Sequence, residues 1–312
     1  MAERVFVIVN PAAATGGARR AWPRLAERLR AALGPFEYAF TCASGHAVSL
    51  VREAARAGAS LVVAVGGDGT LGEAATGLLS PDGGTPAPLD AESRPALGLV
   101  PLGTGRDFAR TLGIASLEDA LLRLARVETR RLDVGWVAHL DHDGQPAARA
   151  FVNVLSLGAG GEVVHTLGRT TKRLGGRLAF TLATARALVG YRDRRVSVSL
   201  DGAPAEEQEV TNLAVCNGQF FGGGMWVAPE ARPDDGLFDV TAWSGFGLLD
   251  FVTRRRALYD GRHVGYAGTT RCRARTLSAE SRERVRLDAD GESAGTLPAR
   301  VELLPAALRF RG

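Results

Sequence analysis

Several clusters in this chain have residue types and spacing suited to phosphate chemistry. Gly66-Gly67-Asp68-Gly69-Thr70 follows the apolar run Leu61–Val65 and opens a helical pattern. Glycines let backbone N–H groups come close to phosphate oxygens, and a helix N-terminus adds a favourable dipole. An aspartate repels phosphate, so Asp68 makes sense with a magnesium ion or ordered water between the two. The same residues could also form a tight strand-to-helix turn with Asp68 as the helix cap. Pro101-Leu102-Gly103-Thr104-Gly105-Arg106-Asp107 repeats the arrangement after Leu97–Val100. Neither loop ends in the Gly-Lys-Ser/Thr of a Walker A sequence. A third loop, Asn10–Gly17, follows Val5–Val9; Asn10 could bond a base, ribose or phosphate, or serve only a turn. Later in the chain stand two acidic turns, Arg232–Asp239 and Asp288–Glu292. By itself Asp290-Gly291 is a hairpin turn, and Asp235-Gly236 a hydrated one.

These loops need a scaffold, and the hydropathy pattern supplies one. Val5–Val9, Leu61–Val65 and Leu97–Val100 are short apolar runs bounded by Gly or Pro, and a further strand is expected at Phe36–Thr41. Helical patterns at Ala18–Ala32, Ala47–Ala57 and Leu71–Leu79 alternate with them. Alternation of this kind implies right-handed crossovers and a parallel sheet covered on both faces. Ser80–Arg94, rich in Pro, Gly and Asp, reads as a surface loop. Beyond about Leu132 strands dominate: Leu132–Val137, Ala150–Leu157, Arg195–Leu200, Glu209–Cys216, Leu237–Trp243, Arg284–Leu287 and Ala299–Leu303. Asp141–Gly144 is a hairpin turn, and helical patterns at Leu174–Val189 and Phe246–Leu258 interrupt the strands. The expectation is an α/β domain over residues 1–130 and an antiparallel β-sandwich domain over 131–312.

Taken in order, Asn10-Pro11, Thr41 with Gly45-His46-Ala47, Gly66–Thr70 and Pro101–Arg110 resemble the diacylglycerol kinase catalytic-domain family. The first glycine loop alone is shared with NAD kinases. The resemblance implies an NAD kinase/diacylglycerol kinase-like fold and transfer of the γ-phosphoryl group of ATP to a lipid hydroxyl, with ATP in the cleft between domains. It also implies that Asn10, Thr41, Gly66, Gly67, Asp68, Gly69, Thr70, Glu73, Gly103, Thr104 and Arg106 line the nucleotide site. Asp288–Glu292 resembles the family's catalytic Asp-Gly-Glu. A lipid hydroxyl is a weak nucleophile, so Glu292 would accept its proton, with Asp290 and Asp68 supporting it or the Mg2+. At the other acidic turn, Asp235 and the carbonyls of Arg232 and Leu237 would hold a structural divalent cation. The family commonly has Asn at the positions of Gly72 and Arg106, which implies altered nucleotide contacts. An NAD kinase, or a regulator that binds nucleotide or lipid without turnover, are the alternative readings.

The chain has 312 residues, 46% hydrophobic and 23% charged, with a net charge of +4. That suffices for two folded domains. No stretch approaches the roughly 18 uninterrupted apolar residues of a membrane helix, and the first residues lack a signal-peptide pattern. A cytoplasmic protein is expected, associated peripherally with the inner face of the membrane and with no nucleic-acid partner. Cys42, Cys216 and Cys272 are too scattered for a disulfide framework or zinc site, and read as small buried hydrophobes. Between His165 and Arg195, eight lysine and arginine residues face the single acid Asp193. That stretch suits an anionic lipid surface, or equally a solvated face.

Overall fold

The computed structural model describes residues 3–80, 82, 84–86, 93–103, 106–169 and 176–312. Strands β1 (Val5–Val9), β2 (Phe36–Phe40), β3 (Leu61–Gly66) and β4 (Ala96–Pro101) pair in parallel in the order β2-β1-β3-β4. Alternate side chains point to opposite faces, and helices cover both. Val5, Val7, Val9, Val63 and Val65 pack with Trp22, Leu25 and Leu29 of α1 (Gly17–Leu33). Ile8, Val62, Ala64, Leu97 and Leu99 pack on the other face with Val51 of α2 (His46–Arg56) and Leu71 of α3 (Asp68–Leu79). Burial on both faces is why these strands read as unbroken apolar runs.

Two short helices follow: α4 (Asp107–Thr111) and α5 (Leu117–Ala125). The Ser116 hydroxyl accepts from Asp119 N–H at 3.1 Å and caps α5. The chain then enters β5 (Arg130–Leu140), turns at Asp141–Gly144 as expected, and returns as β6 (Pro146–Phe151). Strand β6 runs over the outer side of α3, where Ala150 N–H donates to Thr76 Oγ1 at 3.0 Å. Helix α3 is therefore buried at every residue from Gly69 to Leu79. Such enclosure demands small side chains, and five of its twelve residues are glycine or alanine.

The second region is antiparallel. Its order is β14 (Thr269–Ala274), β13 (Phe238–Trp243), β10 (Asn212–Cys216), β7 (Val154–Gly158), β16 (Arg286–Ala289) and β17 (Glu292–Arg311). Strands β8 (Arg194–Leu200), β9 (Glu206–Val210) and β15 (Thr276–Glu280) extend it through β17, while β11 (Phe220–Phe221) and β12 (Met225–Trp226) pair separately. Phe151 stacks on Phe238 at 5.6 Å within this second core. Strand β17 bulges twice along β5 and ends beside β4, with Phe310 opposite Leu97 in parallel. Both regions thus share one sheet, and the expected class, parallel α/β followed by antiparallel β, is the observed one.

Some elements differ from expectation. Ala150–Leu157 is two strands, because the N–H groups of Val152, Asn153 and Val154 turn away to a carboxylate described below. Glu209–Cys216 breaks at Thr211, whose hydroxyl bonds Asp193 at 2.6 Å. Helices α5 and α6 (Ala159–Arg169) and strands β14 and β15 are additional. Only Cys216 of the three cysteines is buried; Cys42 and Cys272 are exposed. Helices α7 (Gly176–Leu188) and α8 (Leu248–Tyr259) lie near their expected places. No helix among the described residues is long and apolar enough to cross a membrane.

Candidate active site

The loops after β3 and β4 touch through their backbones. Leu102 N–H donates to the Gly66 carbonyl at 2.9 Å, and a Cβ on Gly103 would lie 3.1 Å from Gly67 Cα. The loop after β1 joins them: Asn10 Nδ2 donates to Thr70 Oγ1 at 3.0 Å, and Asn10 Oδ1 accepts Ala12 N–H. Thr41 N–H donates to the Val9 carbonyl at the same end of the sheet. Asn10, Thr41, Gly66, Gly67, Thr70 and Gly103 therefore gather at the carboxyl end of the parallel strands, where such sheets hold ligands. Thr104 lies outside the described residues.

Two expected site residues bond to backbone groups nearby. Glu73 is buried, and its carboxylate accepts from Gly45 N–H at 2.6 Å, Ala47 N–H at 3.1 Å and Ser44 Oγ at 3.3 Å. It satisfies the start of α2 and fixes the loop after Thr41. Arg106 sits at φ +52°, a left-handed conformation that Asn tolerates better than Arg, and its guanidinium donates to the Ala115 carbonyl at 3.1 Å.

Four carboxylates crowd behind these loops. Asp68 Oδ2 accepts from the N–H groups of Asp107 and Phe108, each at 3.1 Å, and from Asn153 Nδ2 at 3.4 Å. Burial, then repulsion from Asp107 and Asp290, pushes the Asp68 carboxyl up to about 8. Asp290 accepts from Val152 N–H (2.8 Å), Asn153 N–H (2.9 Å) and Val154 N–H (3.2 Å). Burial still raises it to about 7, and raises Asp288, bonded to Ser156, to about 6. Burial raises Asp107 too, against the pull of Gly223 N–H and Arg110. A site that holds desolvated negative charge favours a proton or a cation. Among the described residues no three ligating groups form a cage for a metal. One or two carboxylates sharing the ion with substrate phosphates is the arrangement magnesium accepts, so this donor set fits it.

The Asp-Gly-Glu turn docks directly on α3. Asp290 (φ +54°) and Gly291 (φ +78°) make the tight turn between β16 and β17. A Cβ on Gly69 would lie 2.6 Å from Glu292 Cδ, and one on Gly72 would lie 2.5 Å from Asp290 Oδ2. Residues three apart share a helix face, so Gly69 and Gly72 form adjoining notches, one for each carboxylate. Gly72, where the family commonly has Asn, is in this chain the space that Asp290 fills. Arg149 Nη2 lies 3.2 Å from Glu292 Oε2. Glu292 is thereby placed beside the first turn of α3, which begins at Asp68.

The acidic turn at Arg232–Asp239 carries its own cation. Arg273 of β14 bonds Asp235 Oδ2 and lies 3.4 Å from Asp239; Leu237 N–H donates to Asp235 Oδ1 at 3.2 Å. Arg232 pairs with Asp234 at 3.4 Å. Both Asp235 oxygens are thus engaged, one of them by a guanidinium. Sequence reading had no access to Arg273, which is 38 residues away along the chain.

Three further groups escaped the sequence reading. Asn153 bridges Asp68 and Asp290 and also donates to the Phe220 carbonyl at 2.8 Å. Buried Asn217 holds the Val152 and Asp133 carbonyls. Gly222-Gly223-Gly224, all at positive φ, lets Gly223 N–H reach Asp107. That glycine triplet was the available signal; Asn153 within an apolar strand gave a weaker one.

Comparison with known proteins agrees with this geometry. Residues 4–137 match the family described as diacylglycerol kinase catalytic domain, and residues 153–311 the family described as YegS C-terminal NAD kinase beta sandwich-like domain. "Diacylglycerol kinase" of Bacillus subtilis (strain 168) is 31% identical over 300 residues, covering 95% of this chain and 92% of its own. A "Probable lipid kinase YegS-like" protein of Xanthomonas axonopodis pv. citri (strain 306) is 36% identical over 274 residues, covering 86% and 84%. A solved structure from Bacillus anthracis str. Sterne, described as a candidate diacylglycerol kinase, superposes with a TM-score of 0.72 at 26% identity, covering 99% of this chain and 96% of that one. Yeast NADH kinase, at 11% identity and a TM-score of 0.51, shares the fold alone.

Proposed function

The chain belongs to the diacylglycerol kinase family and is a lipid kinase, and from that premise we propose that it transfers the γ-phosphoryl group of ATP to the hydroxyl of diacylglycerol or a related lipid alcohol. In this reading ATP lies in the cleft between the α/β region, residues 1–130, and the β region, residues 131–312. The observation that carries it is the docking of the Asp-Gly-Glu turn on α3. That contact brings Glu292, from one region, beside Asp68 and the glycine loops of the other.

The chemistry assigned to the residues is limited, since phosphoryl transfer needs mainly positioning and charge neutralisation. Backbone N–H groups of the loops at Gly66–Gly67 and Gly103 receive the phosphates. Asp68, supported by Asn153 and by the N–H groups at the start of α4, would hold a magnesium ion, which would supply charge neutralisation on the phosphates. Asp290, gripped by three N–H groups, anchors the turn. Glu292 orients the lipid hydroxyl and takes its proton as the oxygen–phosphorus bond forms and the bond to the β-phosphate oxygen breaks. ADP leaves with the electron pair. Arg149 holds the Glu292 side chain in place.

Incubation of the protein with labelled ATP and a total lipid extract, followed by mass identification of the product, tests the reading. A new phospholipid is expected, with NAD added in parallel giving no product. Labelled NADP, or nucleotide binding with no turnover on any lipid, would overturn it.

At the acidic turn we infer that Arg273 supplies the positive charge that a bound ion would otherwise provide. Chelator is then expected to shift the melting temperatures of the parent and of Asp235→Ala by the same amount. Arg273→Met, which leaves buried Asp239 with Arg271 alone, should lower it by about 2–4 °C, the equivalent of roughly 1–2 kcal/mol in a chain of this size. A fall in chelator that the parent shows and Asp235→Ala lacks, reversed by Mg2+ or Ca2+, would restore Arg232, Asp235 and Leu237 as ligands.

A further inference from the structure

Helices α7 and α8 touch each other, and their inner faces enter one core through Leu188, Phe251 and Leu258. Their outer faces are unusual. On α7 and the residue after it, Leu182, Arg186 and Val189 recur at i, i+4 and i+7; on α8, Leu249, Val252 and Arg256 recur at i, i+3 and i+7. Each set shares one helix face. Leu182, Val189, Leu249 and Val252 are 52%, 66%, 76% and 62% exposed. They make up half of the eight large hydrophobic side chains exposed among the described residues, gathered on two adjoining helices. On α7 it is Thr184 and Leu188 that take the inner side. A helix that is apolar on two sides has a second partner besides its own core.

The surrounding charge identifies that partner. Arg186, Arg255 and Arg256 are exposed, and none pairs with a carboxylate among the described residues. Arg254 pairs with Asp250 at 3.2 Å and lies over the Tyr266 ring. By contrast Arg194 and Arg195, within the basic stretch read from sequence, are bound to Glu283 and Glu209. We propose that the outer faces of α7 and α8 form a membrane-docking surface that inserts Leu182, Val189, Leu249 and Val252 into the headgroup boundary of an anionic bilayer, with Arg186, Arg255 and Arg256 on lipid phosphates. Apolar side chains bordered by unpaired arginines match both the depth and the sign of that interface. A second copy of this chain fits worse, since apposing the same face brings like charges together. The inference rests on the reading that the acceptor is a membrane lipid. Helix α6 packs on both α7 and β16, so the surface stands one helix away from the Asp-Gly-Glu turn.

Sedimentation with vesicles, in the absence of ATP, tests this without depending on turnover. The protein should sediment with equimolar phosphatidylglycerol–phosphatidylcholine vesicles, be released as salt rises, and ignore pure phosphatidylcholine. Leu249→Asp with Val252→Asp should weaken vesicle binding about tenfold or more, with melting temperature and phosphorylation of detergent-dispersed lipid unchanged. Binding by the double variant equal to the parent's would overturn the proposal, as would a parent dimer that the double variant dissolves. Vesicle binding that depends on Leu249 and Val252 in a protein that phosphorylates no lipid would uphold the surface and sink the kinase reading alone.

Discussion

Glu292→Gln is expected to fold like the parent, bind ATP with nearly unchanged affinity, and turn over at least about 10²-fold more slowly. The substitution keeps the volume that packs against Gly69, and the amide oxygen can still accept from Arg149. What is lost is a group able to take the lipid proton. Positioning by the glycine loops and charge neutralisation around Asp68 remain, so the residual rate should still exceed that without enzyme. Equal melting temperatures for the two proteins would establish that the loss is chemical. Near-normal turnover in the folded variant would remove Glu292 from the role of base. Asp290 is the instructive contrast. It is enclosed by three backbone donors and abuts Gly72, so its replacement should disturb the turn itself. A defect there would say little about proton transfer.

The parts of this molecule legible in its sequence are those fixed by local pattern. Val5–Val9 and Leu61–Val65 announce themselves because a parallel strand buried on both faces is apolar throughout. The glycine loops are visible because a strand, a tight turn and a helix start follow one another within ten residues. What escaped depends on side chains meeting across long separations. Glu73 falls within the nucleotide motif, yet only the fold reveals that its carboxylate holds the start of α2. The break at Val152-Asn153 exists because Asp290, 138 residues away from Val152, draws the N–H groups out of the strand ladder. No window along the chain contains both partners. Strands β14 and β15 were missed because they carry polar and charged residues such as Arg271 and Arg273, Thr276 and Glu280, which blunt the apolar alternation. The outward turn of Leu182 and Val189 escaped for a related reason: apolar residues are spread around α7, so its pattern does not say which side faces the core.

Asp68→Asn should reduce activity by about 10³-fold or more and, separately, change how stability depends on pH. The amide can still accept from the N–H groups of Asp107 and Phe108 through its oxygen, so the start of α4 stays satisfied. It cannot present negative charge to magnesium, and the loss should not be rescued by more of the ion. The stability effect follows from the raised pKa values. In the folded chain Asp68 and Asp290 hold their protons up to about 8 and about 7, whereas in the unfolded chain both lose them near the ordinary value of 3.8. Between those limits the native state binds more protons than the unfolded state, so stability falls as pH rises. The contribution is complete below about pH 4 and lost by about pH 8. Without magnesium, the parent's melting temperature should therefore fall across this window. Added magnesium should recover part of that loss at the upper end. The Asn variant removes both the titration of Asp68 and its repulsion of Asp290, so its profile should be flatter and its response to magnesium weaker. Activity at ordinary magnesium concentrations in the variant would reduce Asp68 to the cap of α4. A profile as steep as the parent's would place the pH-sensitive charge elsewhere in the cluster.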